Sequence, residues 1–234
     1  MKTFVIHLER ATARRAQVDQ LLRDAPFPAE VFPAIEGVKV ANPPIAPRYS
    51  PRYPFAMGGG EIGCFLSHRA IWQKLTQSGD DAALILEDDV ALDPGFNEAA
   101  TFAAAHVAEL EYIQFQTRPV KGFAEVVVSQ SGQSIVAATV TPLRTSAQMI
   151  SSDAASRLIA ASDAFDRPVD AFLQMHWETG VRVHTSVPSC VSDRTQETGG
   201  STISGPKRGL WDEAKRSWHR SAYRRAIARL SRQQ

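Results

Sequence analysis

The chain has 234 residues, of which 44% are hydrophobic and 22% charged, with a formal net charge of +1. That balance suits one substantial core with an appendage and argues against a globally basic nucleic-acid binder. Its two cysteines, Cys64 and Cys190, provide neither a disulfide framework nor a CxxC zinc pattern, so inert buried thiols are expected. No charged leader precedes an apolar run and no apolar segment approaches the ~18 residues of a membrane span, which predicts a cytoplasmic protein.

In chain order, residues 3–8 read as a strand, 12–23 as a helix and 30–35 as a short strand. Residues 38–57 contain Pro43, Pro44, Pro47, Pro51 and Pro54, which exclude a regular helix or a central strand. This interval is expected to be an ordered lid over a donor or acceptor, with Arg48, Tyr49, Arg52 and Tyr53 available to sugar or phosphate. A helix is predicted over 60–77, with Ile62, Phe65, Leu66, Ile71 and Trp72 on its apolar face, and a strand over 82–87. To this point the alternation predicts an α/β half on a parallel sheet. Gly58-x-Gly60-x-x-Gly63 has the form of a dinucleotide fingerprint, but a proline-rich loop precedes it where a hydrophobic strand is required, so no NAD or FAD site is expected. Beyond lie a helix at 98–110, a strand at 112–116, a hairpin of 125–128 with 134–137, helices at 152–161 and 169–176, and a surface loop over 192–206.

The chemistry concentrates where the apolar run Ala83-Leu84-Ile85-Leu86 meets Glu87-Asp88-Asp89. Adjacent ionised acids repel one another and resist desolvation, so they belong at a strand end facing solvent, a sugar or a cation. Mg²⁺ or Mn²⁺ would offset the clustering and could bridge diphosphate oxygens; the plainer account is a strand end that caps the next helix. His68, at i, i+4 from Trp72, is by default structural. His176, His184 and Cys190 lack zinc spacing, and either histidine is a candidate third ligand for a cation.

Gly60-Glu61-Ile62-Gly63-Cys64, Ser67-His68 and Leu86-Glu87-Asp88-Asp89-Val90 together resemble glycosyltransferase family 25, which includes lipooligosaccharide and procollagen galactosyltransferases. The resemblance extends through Phe4-Val5-Ile6-His7-Leu8-Glu9-Arg10 with Arg14-Arg15, Phe32-Pro33-Ala34-Ile35-Glu36-Gly37, Thr145-Ser146-Ala147-Gln148-Met149-Ile150-Ser151 and Arg167-Pro168-Val169-Asp170, to about residue 205. The chain departs from the family at His7 (commonly Asn), Glu9 (commonly Asp) and Gln148 (commonly aromatic). The resemblance implies a GT-A-like α/β domain over 1–206 that performs an inverting transfer, most often of galactose from UDP-galactose, to a saccharide acceptor such as a lipopolysaccharide or lipooligosaccharide. In that reading Glu87 and Asp88 meet ribose or sugar hydroxyls and Asp89 binds Mn²⁺ or Mg²⁺. His68 contacts the donor, and Arg10, Arg14 or Arg15 neutralises diphosphate. An inverting transfer needs a base for the acceptor hydroxyl, for which Asp170 is the first candidate and Glu61 the second; each is also a natural helix-capping residue.

Residues 207–234 carry nine Lys and Arg against two acids, a balance of +7 that leaves −6 for the remainder. Trp211, Ala214, Trp218, Ala222, Ala226 and Leu230, with Tyr223 and Ile227 beside them, form a helical stripe opposite the arginines. Such a basic amphipathic helix suits an anionic membrane surface, docking on the acidic remainder, or a nucleic-acid arm, and the first predicts a peripheral protein on the inner face of a membrane. Two other functional classes remain: a metal-dependent phosphohydrolase, which also uses clustered carboxylates, and a noncatalytic saccharide- or membrane-binding module.

Overall fold

The computed structural model describes residues 1–196 and 210–233, with the side chains of 210–215 left aside. Most of the loop expected over 192–206 therefore lies outside the described residues, as do the side chains of Trp211 and Ala214. The elements run β1 (Lys2–His7), α1 (Arg15–Asp24), β2 (Ala29–Pro33), α2 (Gly59–Ser78), β3 (Ala82–Glu87), β4 (Val90–Leu92), α3 (Phe96–Leu110), β5 (Tyr112–Gln114), β6 (Ala124–Gln130) and β7 (Gln133–Ala138). There follow β8 (Ala147–Ser151), α4 (Ser152–Ala161), α5 (Val169–Leu173), α6 (His176–Thr179), β9 (Val183–Val187), β10 (Val191–Asp193) and α7 (Leu210–Leu230).

The main sheet has the order β2-β1-β3-β8-β5-β9-β7-β6. The expected parallel half is present, because β1 pairs in parallel with both β2 and β3. From β3 onward the sheet turns mixed: β8 is inserted antiparallel between β3 and β5. Period-two alternation sorts side chains onto two faces. Phe4, Ile6, Ala83 and Ile85 point to one core with α2, α4 and α5, whereas Val5, Leu84 and Leu86 point to the other with α1 and α3. The result is a three-layer α/β/α arrangement, the class expected of a GT-A-like chain.

Glycines let α2 enter this arrangement at close range. A Cβ on Gly63 would stand 2.3 Å from the Ile35 carbonyl oxygen, and one on Gly37 would stand 2.1 Å from that of Gly59. Backbone cannot yield as a flexible side chain can, so hydrogen at these positions is what sets the helix against the segment after β2. Glu61 accepts the Gly58 N–H at 2.7 Å, and Gly79, at φ 75°, ends the helix in the left-handed conformation.

The proline-rich interval is ordered but does not roof the cleft described below, of which Val38 is its single lining residue. Its aromatics turn inward because they have hydrophobic partners there. Tyr49 packs on Phe172 with ring centroids 6.1 Å apart and donates its hydroxyl to the Ala161 carbonyl. The fully buried Arg167 donates to the carbonyl of Pro51 at 3.1 Å and to the Tyr223 hydroxyl at 3.1 Å. Tyr53 also meets Tyr223, with ring centroids 5.3 Å apart, and Arg216 lies over Phe55 at 4.4 Å. Ile227 is buried in the core on the α2 side, so α7 docks on the domain through aromatic and apolar contacts. Among the described residues no ion pair joins its arginines to the domain.

Gly63→Ala should cost about 1–3 kcal/mol through overpacking against backbone. Gly58→Ala, whose Cβ would meet nothing closer than the Glu61 carboxylate at 3.7 Å, should change stability by less than about 0.5 kcal/mol. Urea titration of the two variants checks the contrast; equal midpoints would remove the close-approach account.

Candidate functional site

Because β2, β1 and β3 are parallel, their carboxyl ends open at one edge of the sheet, the usual position of a ligand crevice in open α/β folds. A cleft of about 160 Å³ lies there. It is lined by the segment from Ala34 to Val38 and by the first three turns of α2, with Gly60, Cys64 and His68. Glu87, Asp88 and Asp89 form the floor, and Arg10 and Arg14 also line it.

The three acids are not equivalent. The Asp88 side chain is 9% exposed, against 27% for Glu87 and 20% for Asp89. One Asp88 oxygen lies 2.7 Å from His7 Nδ1 and the other accepts from the guanidinium of Arg14, itself buried. Asp88 thus ties the ends of β1 and β3 to the start of α1, and both its oxygens are engaged within the protein. Glu87 accepts from the Thr145 hydroxyl at 2.7 Å. Burial opposes its ionisation, but His68, Thr145 and Arg14 outweigh burial and hold its carboxyl below the ordinary value. Asp89 has Arg14 at 3.4 Å and the Thr195 hydroxyl at 3.1 Å. Burial first, and the charge of Glu87 next, push its carboxyl up to about 6.

The other candidates fall into place around this floor. Arg10 sits on the rim and pairs with Glu36 at 3.1 Å. Arg15 does not join the cleft: it is exposed on α1 and pairs with Asp19 at 3.2 Å. His68 is fully buried; its Nδ1 is 3.1 Å from the Gln148 amide nitrogen, while the Gln148 carbonyl accepts from Tyr112 at 2.7 Å. His68 Nε2 makes no hydrogen bond and faces a Glu87 oxygen 3.5 Å away. Neither His176 nor His184 lines the cleft, and His184 instead meets the Leu110 carbonyl at 3.1 Å.

Asp170 stands beside the cleft, in the first turn of α5. Its oxygens accept the backbone N–H groups of Arg144 at 3.1 Å and Ala171 at 2.7 Å. Burial raises its carboxyl above the ordinary value against those two bonds, and Glu87 and Glu61 add to the rise. Sequence reasoning did not single out Arg144, which reaches Asp193 at 2.6 Å and Thr117 at 3.1 Å and adopts φ 91°, a costly backbone region for a non-glycine residue. Nor did it single out Thr145 as the partner of Glu87, or Cys64 as a neighbour of His68 and Glu87. Helical spacing at i, i+4 was the available signal for the last.

The sequence profile of glycosyltransferase family 25 (LPS biosynthesis protein) matches residues 1–173. A protein of Drosophila melanogaster named Glycosyltransferase 25 family member is 32% identical over 190 residues, which cover 76% of this chain and 31% of that one. The human Procollagen galactosyltransferase 2 is 29% identical over 103 residues, covering 41% of this chain and 16% of its own length. A mouse protein named Inactive glycosyltransferase 25 family member 3 is 32% identical over 103 residues, covering 41% of this chain and 17% of its own. The alignments thus cover at most about a third of the length of these relatives.

Asp88→Asn should destabilise the fold by about 1.5–3 kcal/mol, because it removes the buried charge that accepts from Arg14 while Asp89 stays 3.4 Å away. Asp89→Asn should instead raise the melting temperature at pH 8, since it removes a carboxylate whose ionisation the fold disfavours. A raised folded-state value means that the Asp89 penalty is absent at low pH and complete above about 6. The gain from Asp89→Asn should therefore appear as pH rises from about 4 to about 6 and stay level above it. Melting curves of both variants against pH decide; equal losses would show that the two acids play the same part.

Proposed function

The chain belongs to glycosyltransferase family 25, and from that premise we propose that it is an active glycosyltransferase whose cleft takes a nucleotide-sugar donor and whose Asp170 side receives a saccharide hydroxyl. One observation carries this reading. At the carboxyl ends of parallel strands, Asp88 is neutralised internally while Glu87 and Asp89 keep exposed oxygens toward a cleft rimmed by Arg10. That division leaves carboxylates available to sugar hydroxyls and a cation, with a guanidinium near enough for diphosphate.

The implied cation fits the residues present. Asp89 is a hard oxygen donor whose ionisation is resisted by burial first and by Glu87 and Asp88 after it, so a divalent ion would relieve a penalty already built into the fold. Asp89 would hold Mn²⁺ or Mg²⁺, which when bound neutralises charge on the departing nucleotide diphosphate. Glu87, kept ionised by its neighbours and fixed by Thr145, contacts the hydroxyls of ribose or sugar. Asp88 acts by positioning: it locks Arg14 and the end of β1 so that the floor stays in register.

Asp170 is the proposed base of an inverting transfer, because a buried carboxyl raised above its ordinary value binds a proton more strongly than an exposed one. Glu61, on the first turn of α2 and committed to its helix cap, is the second candidate. The name of the human relative supports galactose as the transferred sugar and the family's description supports a lipopolysaccharide acceptor, while a UDP donor and a lipooligosaccharide acceptor follow from the sequence resemblance. Asp170→Asn should lower turnover by roughly 10²-fold with the donor KM little changed. Steady-state transfer from labelled UDP-galactose to a lipooligosaccharide acceptor checks it, and a variant with full turnover and only lower stability would make Asp170 a helix cap.

The tail extends the same reading. No helix among the described residues is long and apolar enough to cross a membrane. While α7 docks through Tyr223 and Ile227, it leaves Trp218 64% exposed, with exposed Arg225 two turns on along the same face and Arg220 and Arg224 exposed elsewhere on the helix. An aromatic among arginines supports contact with an anionic lipid surface, where a lipid-linked acceptor would be found. Flotation with vesicles containing anionic lipid should recover the protein at low salt, less at high salt, and less for Trp218→Ala. Recovery equal to that with neutral vesicles would leave α7 as a docking element alone.

A further inference from the structure

Cys64, His68 and Glu87 converge on one point of the cleft wall. Their ligand atoms, a thiol sulfur, an imidazole nitrogen and a carboxylate oxygen, all lie within 4.8 Å of one another. The His68 Nε2 to Glu87 Oε1 distance is 3.5 Å and the Cys64 Sγ to Glu87 Oε1 distance is 4.0 Å. Around a tetrahedral Zn²⁺, with bonds of about 2.0–2.3 Å, neighbouring ligand atoms stand roughly 3.3–3.7 Å apart; the His68–Glu87 pair already meets this, and the other pairs would close by up to about 1 Å.

A second observation points to a ligand at the same place. His68 is fully buried, and its Nε2, aimed at this cluster, makes no hydrogen bond of normal geometry and has only the Glu87 carboxylate near it, at 3.5 Å. Buried polar atoms are rarely left in that state unless something else occupies them. We propose that Cys64, His68 and Glu87 form a three-ligand site for a borderline-soft divalent ion, Zn²⁺, whose fourth position opens into the cleft. The ligand set differs in kind from Asp89, since thiolate and imidazole select zinc where carboxylate alone suits Mg²⁺ or Mn²⁺. Binding displaces the Cys64 thiol proton to solvent and forms the zinc–sulfur bond.

The surroundings supply the tautomer that this requires. For Nε2 to bind metal, the His68 proton must sit on Nδ1 and be accepted there. Gln148, adjacent to Nδ1, can present its carbonyl by turning its amide, and its NH₂ then donates to the Tyr112 hydroxyl oxygen that it now faces. Gln148 is therefore a positioning residue for the metal ligand, of the outer-shell kind whose loss typically weakens metal binding about 10–100-fold.

The inference does not depend on glycosyl transfer, and its test reads binding alone. Calorimetric titration of the full chain with Zn²⁺ should give one tight equivalent. Titration with Co²⁺ should give an intense near-ultraviolet thiolate-to-metal band and the visible bands of a tetrahedral ion. Cys64→Ser should abolish the sulfur band and weaken Zn²⁺ at least tenfold, and Gln148→Leu should weaken Zn²⁺ about 10–100-fold without removing that band. Absence of a cobalt–sulfur band in the wild-type protein overturns the proposal whatever the variants do, as does zinc affinity that survives Cys64→Ser in a protein with native circular dichroism.

Discussion

Three consecutive carboxylates cannot share one strand end unless some of their charge is met, and the site depends on how that is done. Asp88 is withdrawn from solvent into a network with His7 and Arg14, which joins the ends of two parallel strands to the first helix. Removing two ions from water is costly unless they are well paired and hydrogen-bonded, and here both Asp88 oxygens are occupied. Its neighbours are thereby released from structural duty. Glu87 stays ionised through His68, Thr145 and Arg14, and Asp89 is left with an excess of negative potential around it.

Close packing completes the frame. The segment after β2 and the first turns of α2 approach through Gly37, Gly59 and Gly63, at distances that leave no room for a β-carbon. Of these, Gly63 also belongs to a pattern that formally matches a dinucleotide fingerprint, yet the structure uses it for helix-to-backbone contact with Ile35. On the far side of α2, Arg167 gathers the proline-rich interval, α5 and α7 around one buried guanidinium. Both devices hold the helix that carries Glu61, Cys64 and His68 against the floor of acids.

The early elements were legible in the sequence because each carries a strong period. The first strand, α2 and β3 fall within a residue or two of the expected bounds, and β1 and β3 supply the parallel half. The central strand Ala147–Ser151 was legible only as a family segment, since a five-residue run with buried Gln148 and Ser151 has no clear alternation of polarity. The proline-rich interval was read as ordered, but the destination of its tyrosines was not legible: whether an aromatic meets a sugar or a phenylalanine depends on tertiary neighbours such as Phe172 and Tyr223. Among the site residues, the acid cluster declared itself by charge density, whereas the internal neutralisation of Asp88 by Arg14, 74 positions away in sequence, could not be read from spacing. Arg15 and Arg14 are adjacent in sequence, and only the turn into α1 decides that one is buried at the cleft and the other faces solvent.

The central claim is that Asp88 is structural while Asp89 and its cleft receive the cation-bound donor. Calorimetric titration of UDP into the wild-type protein and into Asp89→Asn, each with and without Mn²⁺, tests it most directly. The account predicts that Mn²⁺ tightens UDP binding to the wild-type protein and that this enhancement disappears in a folded Asp89→Asn variant, with weak metal-independent binding retained. Equal enhancement by Mn²⁺ in both proteins, or no UDP binding to the wild type under either condition, would contradict it.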